Sequence, residues 1–317
     1  MRKKSLPFVV IVALLLAVLL AACSSSGGDE GSGEMITLIA NPWPSSELNV
    51  NVAKIIIEKE LGNPVEIVAL DENAQWDALA AGNADASLEV WPSGHGERIV
   101  QYIEQQKVVE NGGALGPVGE IGWFVPTYVV NQNPQLATWE GYKDPALAGL
   151  FATAETGSLG QFTAGDPSWV QYDADIIKNL GLNLQVVTAG SEDSLLATVS
   201  SAYARQQPVL FYFYSPHAIF SRFDLTQVAL PAYSDDCYAG AESGGVACAY
   251  PEDQLFKIFS TKLSEKAPDV YTLLKNMNYG SEAQIEMLAM LDEGKTVEEA
   301  AQAWVDAHES EWKGWLP

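Results

Sequence analysis

Basic residues are scarce in this chain of 317 residues. Lysine and arginine together number 17 against 41 aspartates and glutamates, which gives a formal net charge of −24 at pH 7. A surface of this sign repels the phosphates of nucleic acids, so a DNA or RNA partner is excluded. The acidity indicates solubility rather than a specialised acidic site.

Histidine and cysteine are also rare, with three residues of each. His95, His217 and His308 fit no HExxH-like spacing, and no cysteine pair has a histidine near it, so no metal site is predicted. The chain contains no G-x-G-x-x-G fingerprint, no Walker-type phosphate loop and no G-x-S-x-G elbow. No cofactor is therefore expected, and the hypothesis of an enzyme has little support.

The first 22 residues have the pattern of an export signal. Three basic residues at positions 2–4 precede an apolar run from Phe8 to Leu19, which is too short to span a bilayer, and small residues lead into Cys23. This order resembles a bacterial lipoprotein signal, which implies cleavage before Cys23 and acylation of its thiol. An ordinary secreted protein is the alternative. Either way the protein is expected outside the cytoplasm, and the lipoprotein hypothesis anchors it to the cell membrane.

Residues 23–34 consist mainly of serine, glycine and acid, and they predict a flexible tether because they cannot bury apolar surface. Only Cys237 and Cys248 follow Cys23 in the chain. In an oxidising compartment such a pair usually forms a disulfide, here around a short glycine-rich loop, and two free buried thiols are the alternative.

From about residue 35 the chain alternates strand-like and helix-like segments, which predicts an α/β fold with mostly parallel strands. Strands are predicted over residues 36–40, 64–70, 86–91, 184–189 and 209–214, and helices over residues 47–61, 73–81, 95–106, 169–180, 191–203, 260–277, 281–291 and 297–308.

A second α/β unit lies within the first, which predicts two lobes joined by two crossings. Residues 122–131 and 228–233 are the candidates for these crossings. The first lobe is predicted to comprise residues 35–127 and 232–317, and the second lobe residues 128–231. Ligands of open α/β sheets bind beyond the carboxyl ends of the strands, so the cleft between the lobes is the expected site.

Aromatic residues stand at several predicted strand ends and helix starts. Trp91 ends one strand, Tyr212 and Tyr214 end another, Trp169 begins a helix and Trp43 follows the first strand. Each of them alone is typical of a protein core. Together they indicate a site, because aromatic faces attract a diffuse cation such as a quaternary ammonium group.

Four segments resemble the substrate-binding proteins of glycine betaine/proline betaine ABC importers, a family of two-lobed periplasmic-binding-protein fold. They are, in order, residues 79–95 (LAAGNADASLEVWPSGH), 142–151 (YKDPALAGLF), 165–169 (GDPSW) and 208–217 (PVLFYFYSPH). The resemblance extends over about residues 35–315.

The resemblance implies an aromatic cage made of Trp91, Trp169 and Tyr214. Related proteins have tryptophan at the third position, and tyrosine offers a weaker face to a cation. Trp43 is a further candidate that has no counterpart in the family's cage.

The resemblance also implies the groups that would bind a ligand carboxylate. They are the side chain of His95 and the backbone N–H groups of Val170 and Gln171, which are expected at a helix start where N–H groups are unpaired. His95 could instead cap the helix that follows it.

The function implied is capture of glycine betaine or a related quaternary ammonium osmolyte, followed by delivery to an ABC permease that works with an ATPase subunit. The receptor itself is expected to be a monomer and to catalyse no reaction. Choline, carnitine or proline betaine are alternative ligands. An exported enzyme or a sensory receptor with the same fold is the alternative from another class.

Overall fold

A computed structural model describes residues 33–317 of the chain. It contains nine strands: β1 (Ile36–Ala40), β2 (Val65–Ala69), β3 (Ala86–Val90), β4 (Val109–Pro126), β5 (Gly160–Ala164), β6 (Leu184–Thr188), β7 (Leu210–Ser215), β8 (Leu225–Gln227) and β9 (Glu252–Ser260).

The α-helices of residues 33–317 are α1 (Pro44–Ile56), α2 (Ala74–Ala81), α3 (Gly96–Arg98), α4 (Thr127–Gln132), α5 (Pro145–Ala148), α6 (Asp173–Leu180), α7 (Glu192–Ala204), α8 (Ile219–Arg222), α9 (Asp235–Tyr238), α10 (Leu263–Lys266), α11 (Pro268–Asn276), α12 (Ser281–Asp292), α13 (Val297–Ala307) and α14 (Glu309–Trp312). Helices α1 and α3 continue as π-helical turns over Ile57–Leu61 and Ile99–Gln105.

The strands form one sheet in the order β2-β1-β3-β9-β4-β7-β5-β6, and β8 pairs with β4. On one side β1 pairs in parallel with β2 and β3, and on the other β5 pairs in parallel with β6 and β7. The long strand β4 lies between the two groups and is antiparallel to both β9 and β7. The fold is therefore mixed α/β, with two parallel groups joined through β4 and β9.

The parallel groups follow the sequence patterns closely, except that β5 lies where no strand was predicted. Strand β1 has the predicted bounds, and β2, β3, β6 and β7 differ from prediction by one residue at one or both ends. The helices α2 and α6 end before Gly82 and Gly181, which adopt the left-handed conformation that glycine allows without steric cost.

The crossings differ from the prediction. Strand β4 begins at Val109 rather than near residue 122, and residues 127–131 of the predicted segment lie in α4. Residues 228–233 contain no strand, although Ala229 forms an isolated bridge with Thr138, and β9 pairs with both β3 and β4. The division of the chain into lobes near residues 127 and 232 stays a prediction.

Several helix bounds also differ from the prediction. The first helix begins at Pro44 with Trp43 as the preceding cap residue, because the Ser45 and Ser46 hydroxyls bond other partners. Residues 260–277 form two short helices, since β9 extends to Ser260 and Pro268 opens a new helix.

The C-terminal segment packs onto the first parallel group. Thr296 and Glu299 form a capping box at the start of α13, and the tryptophans at 304, 312 and 315 are buried. Among residues 33–317, no helix combines the length and apolar character needed to cross a membrane.

Candidate functional site

An aromatic pocket opens beyond the carboxyl ends of the parallel strands. Trp91 directly follows β3, Trp43 and Trp169 lie in the loops after β1 and β5, and Tyr212 and Tyr214 belong to β7. The pocket is small, and five of its ten lining residues are aromatic. It therefore suits a compact guest.

The rings stand at steep angles to one another, as the walls of a box do. The Tyr214 ring lies 5.5 Å from Trp91 at 78° and 5.8 Å from Trp169 at 83°, measured between ring centroids. Trp169 also lies 6.5 Å from Trp43 at 81° and 5.9 Å from Tyr212. The three residues expected to form a cage thus share one pocket, together with Trp43 and with Tyr212.

Tyr212 was not assigned to the cage by sequence reasoning, although a signal for it exists. Alternate residues of a strand point to the same face, so Tyr212 and Tyr214 are on one side of β7. Opposite Tyr214 in the neighbouring strand β4 stands Ile121, which also lines the pocket.

A buried carboxylate holds two of the tryptophans. Glu89 on β3 is 0% exposed and accepts hydrogen bonds from the indole N–H groups of Trp43 at 2.8 Å and Trp91 at 3.1 Å. Three further donors complete its shell: the Ser45 hydroxyl at 2.9 Å and the amides of Asn49 at 2.6 Å and Gln284 at 3.2 Å. Burial raises the pKa of Glu89 above its usual value, and the hydrogen bonds from Trp43, Ser45, Trp91 and Asn49 offset part of that shift. All five partners donate, so they stabilise the ionised form.

A second carboxylate holds the tyrosine wall. The Tyr214 hydroxyl donates to Glu192 Oε2 at 2.6 Å, and His217 Nε2 lies 3.2 Å from Oε1 of the same carboxylate. The Ile219 N–H donates to His217 Nδ1, so the imidazole proton is on Nε2 and points to Glu192. Burial, followed by the charge of Glu192, raises the pKa of the Tyr214 phenol, which keeps it neutral.

A third carboxylate, Glu72, lines the pocket itself. It is 5% exposed, its Oε2 lies 3.0 Å from His95 Nε2, and its Oε1 accepts a short hydrogen bond from the backbone N–H of Val170. His95 is 1% exposed, and its Nδ1 has no hydrogen-bond partner within residues 33–317. A neutral imidazole with its proton on Nε2 fits this geometry, because an imidazolium would leave a buried N–H unpaired.

The His95 and Val170 groups that were expected to bind a ligand carboxylate are thus engaged by a carboxylate of the chain itself. Sequence reasoning missed Glu72, because a single glutamate in a loop forms no motif. Its position was nevertheless informative, since it follows β2 at the carboxyl end of the strand, where ligand-binding residues of such sheets lie.

The predicted helix start at Trp169 is wrong, because α6 begins only at Asp173. The intervening loop is closed by the Gln171 side chain, which accepts a hydrogen bond from Gly165 N–H at 2.9 Å and donates to the carbonyl of Asp166 at 2.9 Å. Gln171 therefore shapes the loop that carries Trp169, and it is not among the residues that line the pocket.

Two glycines make room for the indoles. A Cβ atom on Gly119 of β4 would lie 2.2 Å from the Trp91 ring, and one on Gly165 would lie 2.4 Å from the Trp169 ring. Real Cβ atoms do not approach other atoms so closely, so each tryptophan fits only because its neighbour has no side chain.

Acidic groups surround the outer side of the pocket. A neighbouring surface cavity beside Trp43 is lined by Glu47, Asp166, Glu192 and Asp193. Burial raises the pKa of Glu47, and the charges of Glu298, Glu192 and Asp193 raise it further. No lysine or arginine of the described chain lines either cavity, so the local field favours a cation.

The two later cysteines lie away from the pocket. The sulfurs of Cys237 and Cys248 are 2.11 Å apart and form a disulfide. The loop between them is tied to α6, because the Asn179 amide donates to the carbonyls of Gly244 and Val246 at 2.9 Å each. Cys23 is outside the described residues.

Reactive groups are not assembled in the described part of the chain. Within residues 33–317, no group of three or more His, Cys, Asp or Glu side chains is placed to hold a metal ion. The pocket itself offers π-faces, one carboxylate and the indole N–H of Trp169, which is buried and has no hydrogen-bond partner within residues 33–317. An α/β fold with an aromatic pocket at the carboxyl ends of its strands is that of a solute-binding protein.

Comparison with known proteins identifies the family. Residues 34–307 match the family model of the substrate-binding domain of ABC-type glycine betaine transport systems. The chain belongs to this family, which consists of solute-binding domains of transporters and not of enzymes.

A curated relative is the trimethylamine N-oxide-binding protein of Pelagibacter ubique (strain HTCC1062), which is 26% identical over 289 residues, covering 89% of this chain and 90% of the relative.

Solved structures share the fold. Lactococcal OpuAC in its closed conformation with glycine betaine aligns with a TM-score of 0.66 at 22% identity, over 90% of this chain and 100% of that one. A choline-binding protein of an ABC transporter in complex with choline aligns with a TM-score of 0.71 at 18% identity, over 89% of this chain and 91% of that one. The chain thus has the two-lobed periplasmic-binding-protein fold.

Proposed function

We propose that this chain is the extracytoplasmic receptor of an ABC importer and captures a small methylated ammonium compound in the cage of Trp43, Trp91, Trp169 and Tyr214. The observation that supports this most directly is the packing of Tyr214 against both Trp91 and Trp169 in a single pocket. A quaternary ammonium group has no N–H to donate, so π-faces of matching size provide its attraction.

The family match supports delivery of the bound ligand to an ABC permease that works with an ATPase subunit. The relatives named above bind trimethylamine N-oxide, glycine betaine and choline, and these compounds share a trimethylated nitrogen. We further propose that Cys23 carries a lipid anchor and that the receptor acts as a monomer. Loss of the membrane-bound fraction in Cys23→Ser would support the anchor, and an unchanged distribution would exclude it.

The ligand is tested by calorimetric titration of the purified full-length protein with glycine betaine, proline betaine, choline, carnitine and trimethylamine N-oxide. At least one of them is expected to bind with one-to-one stoichiometry. Trp169→Ala is expected to weaken that binding roughly tenfold or more, since one desolvated face contributes about 0.5–2 kcal/mol and the cage also loses a wall.

Trp139→Ala is the matched control, because Trp139 is partly exposed and lies outside the pocket, with Lys143 over its ring. Its affinity should equal that of the wild type. The proposal fails if none of the compounds binds, or if Trp169→Ala binds as well as Trp139→Ala.

A further inference from the structure

We infer that Glu72 takes the place of a ligand carboxylate, so that the cage selects a methylated ammonium cation that carries no carboxylate of its own. This refinement rests on the function proposed above, and it names the class of ligand within it.

Two donors at the pocket wall already have an acceptor within the chain. The Val170 N–H and the His95 Nε2–H both donate to Glu72 at the pocket wall, the first to Oε1 and the second to Oε2. A backbone N–H and a neutral imidazole each have one proton to donate here. With both protons engaged by Glu72, neither is left for a carboxylate of the ligand.

The carboxylates in and behind the pocket repel a carboxylate of the ligand. A betaine that enters methyl-first or carboxylate-first brings a full negative charge into a pocket lined by Glu72 and backed by Glu89 and Glu192. All three carboxylates are at least nine-tenths buried, and no lysine or arginine in the described chain lines the pocket. Like charges in a desolvated site repel strongly, whereas a cation without a carboxylate meets only opposite charge.

Neutral donors also remain at the pocket. The indole N–H of Trp169 is buried and has no hydrogen-bond partner among residues 33–317, and Tyr212 also lines the pocket. Neutral donors of this kind match a hydroxyl oxygen, and a hydroxyl can in turn donate to Glu72, because it is both donor and acceptor. Neither donor carries the positive charge that would offset a buried carboxylate of the ligand.

Choline and tetramethylammonium are the probes, and glycine betaine is the carboxylate-bearing comparison. For the full-length wild type we expect choline to bind at least about tenfold more tightly than glycine betaine, because of the repulsion from Glu72. Tetramethylammonium should follow choline, since it lacks the carboxylate as well.

Glu72→Ala frees both donors and removes the charge. It is expected to tighten glycine betaine binding about tenfold and to weaken choline binding about tenfold, which reverses the preference. Glu72→Gln keeps the shape of the side chain and should shift the ratio of the two affinities in the same direction by a smaller factor. Glu66→Gln, an exposed glutamate on β2, is the matched control and should leave the ratio unchanged.

Two outcomes overturn the inference while the proposed function stands. The first is that the wild type binds glycine betaine as tightly as choline. The second is that both Glu72 variants keep the wild-type ratio of choline affinity to glycine betaine affinity. In both cases Trp169→Ala still binds more weakly than the wild type. If Trp169→Ala binds like the wild type, the aromatic cage itself is wrong, and the inference fails with it.

Discussion

The aromatic walls of the pocket depend on carboxylates that stand behind them. Glu89 fixes Trp43 and Trp91 through their indole N–H groups, and Glu192 fixes Tyr214 through its hydroxyl. Rings held in this way lose little conformational freedom when a ligand binds, so ordering them offsets less of the binding free energy. The negative charges also favour the cation that the rings attract.

The aromatic residues of the site could be predicted from the sequence, but their supports could not. Trp91 and Tyr214 stand at the ends of predicted strands, so their position at one edge of the sheet follows from the strand order. Trp169 follows β5, which the sequence pattern did not predict. Glu72 and Glu89 are two of many acidic residues in an acidic chain. What distinguishes them is burial and a set of donors from distant segments, and neither is visible in local sequence.

Replacement of Glu89 by glutamine tests the support of the indoles. Glutamine keeps one acceptor oxygen but presents an NH₂ group to the amides of Asn49 and Gln284, which also donate. We expect the free energy of unfolding to fall by about 1–3 kcal/mol, the usual cost of a buried polar group left unsatisfied, together with weaker ligand binding. Urea unfolding and calorimetry measure the two effects. Stability and affinity equal to those of Glu66→Gln would contradict this role.

At the scale of the elements, strand β4 connects the two parallel groups and lines the pocket. Sequence reasoning detected only its last residues, because its first twelve residues, VENGGALGPVGE, are rich in glycine and have low β-propensity. Pairing with β9 over eight residue pairs, with two irregularities in the register, overrides that local preference. Sequence reasoning also missed β9. Its antiparallel partners, β3 and β4, are far away in sequence, so local sequence does not reveal the pairing.

The close approach of β4 to Trp91 leads to a prediction about Gly119. Gly119→Ala places a methyl group where the Trp91 ring now lies, so the indole must move out of the cage. Overpacking of this kind costs about 1–3 kcal/mol of stability, and ligand affinity is expected to fall along with it.

Gly149→Ala is the control for Gly119→Ala, because a Cβ atom there meets no other atom within 4 Å. Thermal unfolding and calorimetric titration of both variants provide the comparison. Equal affinities in the two variants would show that Trp91 does not need its present position.

At the scale of the whole molecule, the parallel strand groups could largely be predicted from the sequence, whereas the antiparallel strands that connect them could not. The two parallel groups were predicted, apart from β5, because strands and helices alternate there with regular periods and glycine stops. The antiparallel strands between them carry no comparable pattern. Their pairing is decided by contacts between residues more than a hundred positions apart, such as Val109 with Ser260.

A buried aspartate makes the stability of the molecule depend on pH. Asp173 accepts hydrogen bonds from the Trp123 indole at 2.6 Å and the Tyr250 hydroxyl at 3.2 Å, and burial raises its pKa to about 7. In the unfolded chain an aspartate ionises near pH 4. Between about pH 4 and pH 7 the folded state therefore holds a proton that the unfolded chain has released. The contribution of Asp173 to the free energy of unfolding must fall as the pH rises through this range.

Asp173→Asn cannot ionise and should remove this dependence. Urea unfolding at several pH values between about 4 and 8 is expected to show the variant gaining stability relative to the wild type as the pH rises. Asp236→Asn, at an exposed aspartate, serves as the control. A constant difference between wild type and Asp173→Asn across the range would contradict the shifted pKa.

The hydrogen bond from Val170 to Glu72 joins positions 98 residues apart, one beside β2 and the other in the loop after β5. With the predicted division of the chain into lobes near residues 127 and 232, Glu72 and Val170 belong to different lobes, so we expect this bond to break whenever the lobes separate. We expect it to stabilise the closed form whatever the ligand is. We expect its influence on residence time, and so on the rate at which cargo departs, to exceed its influence on the rate of capture.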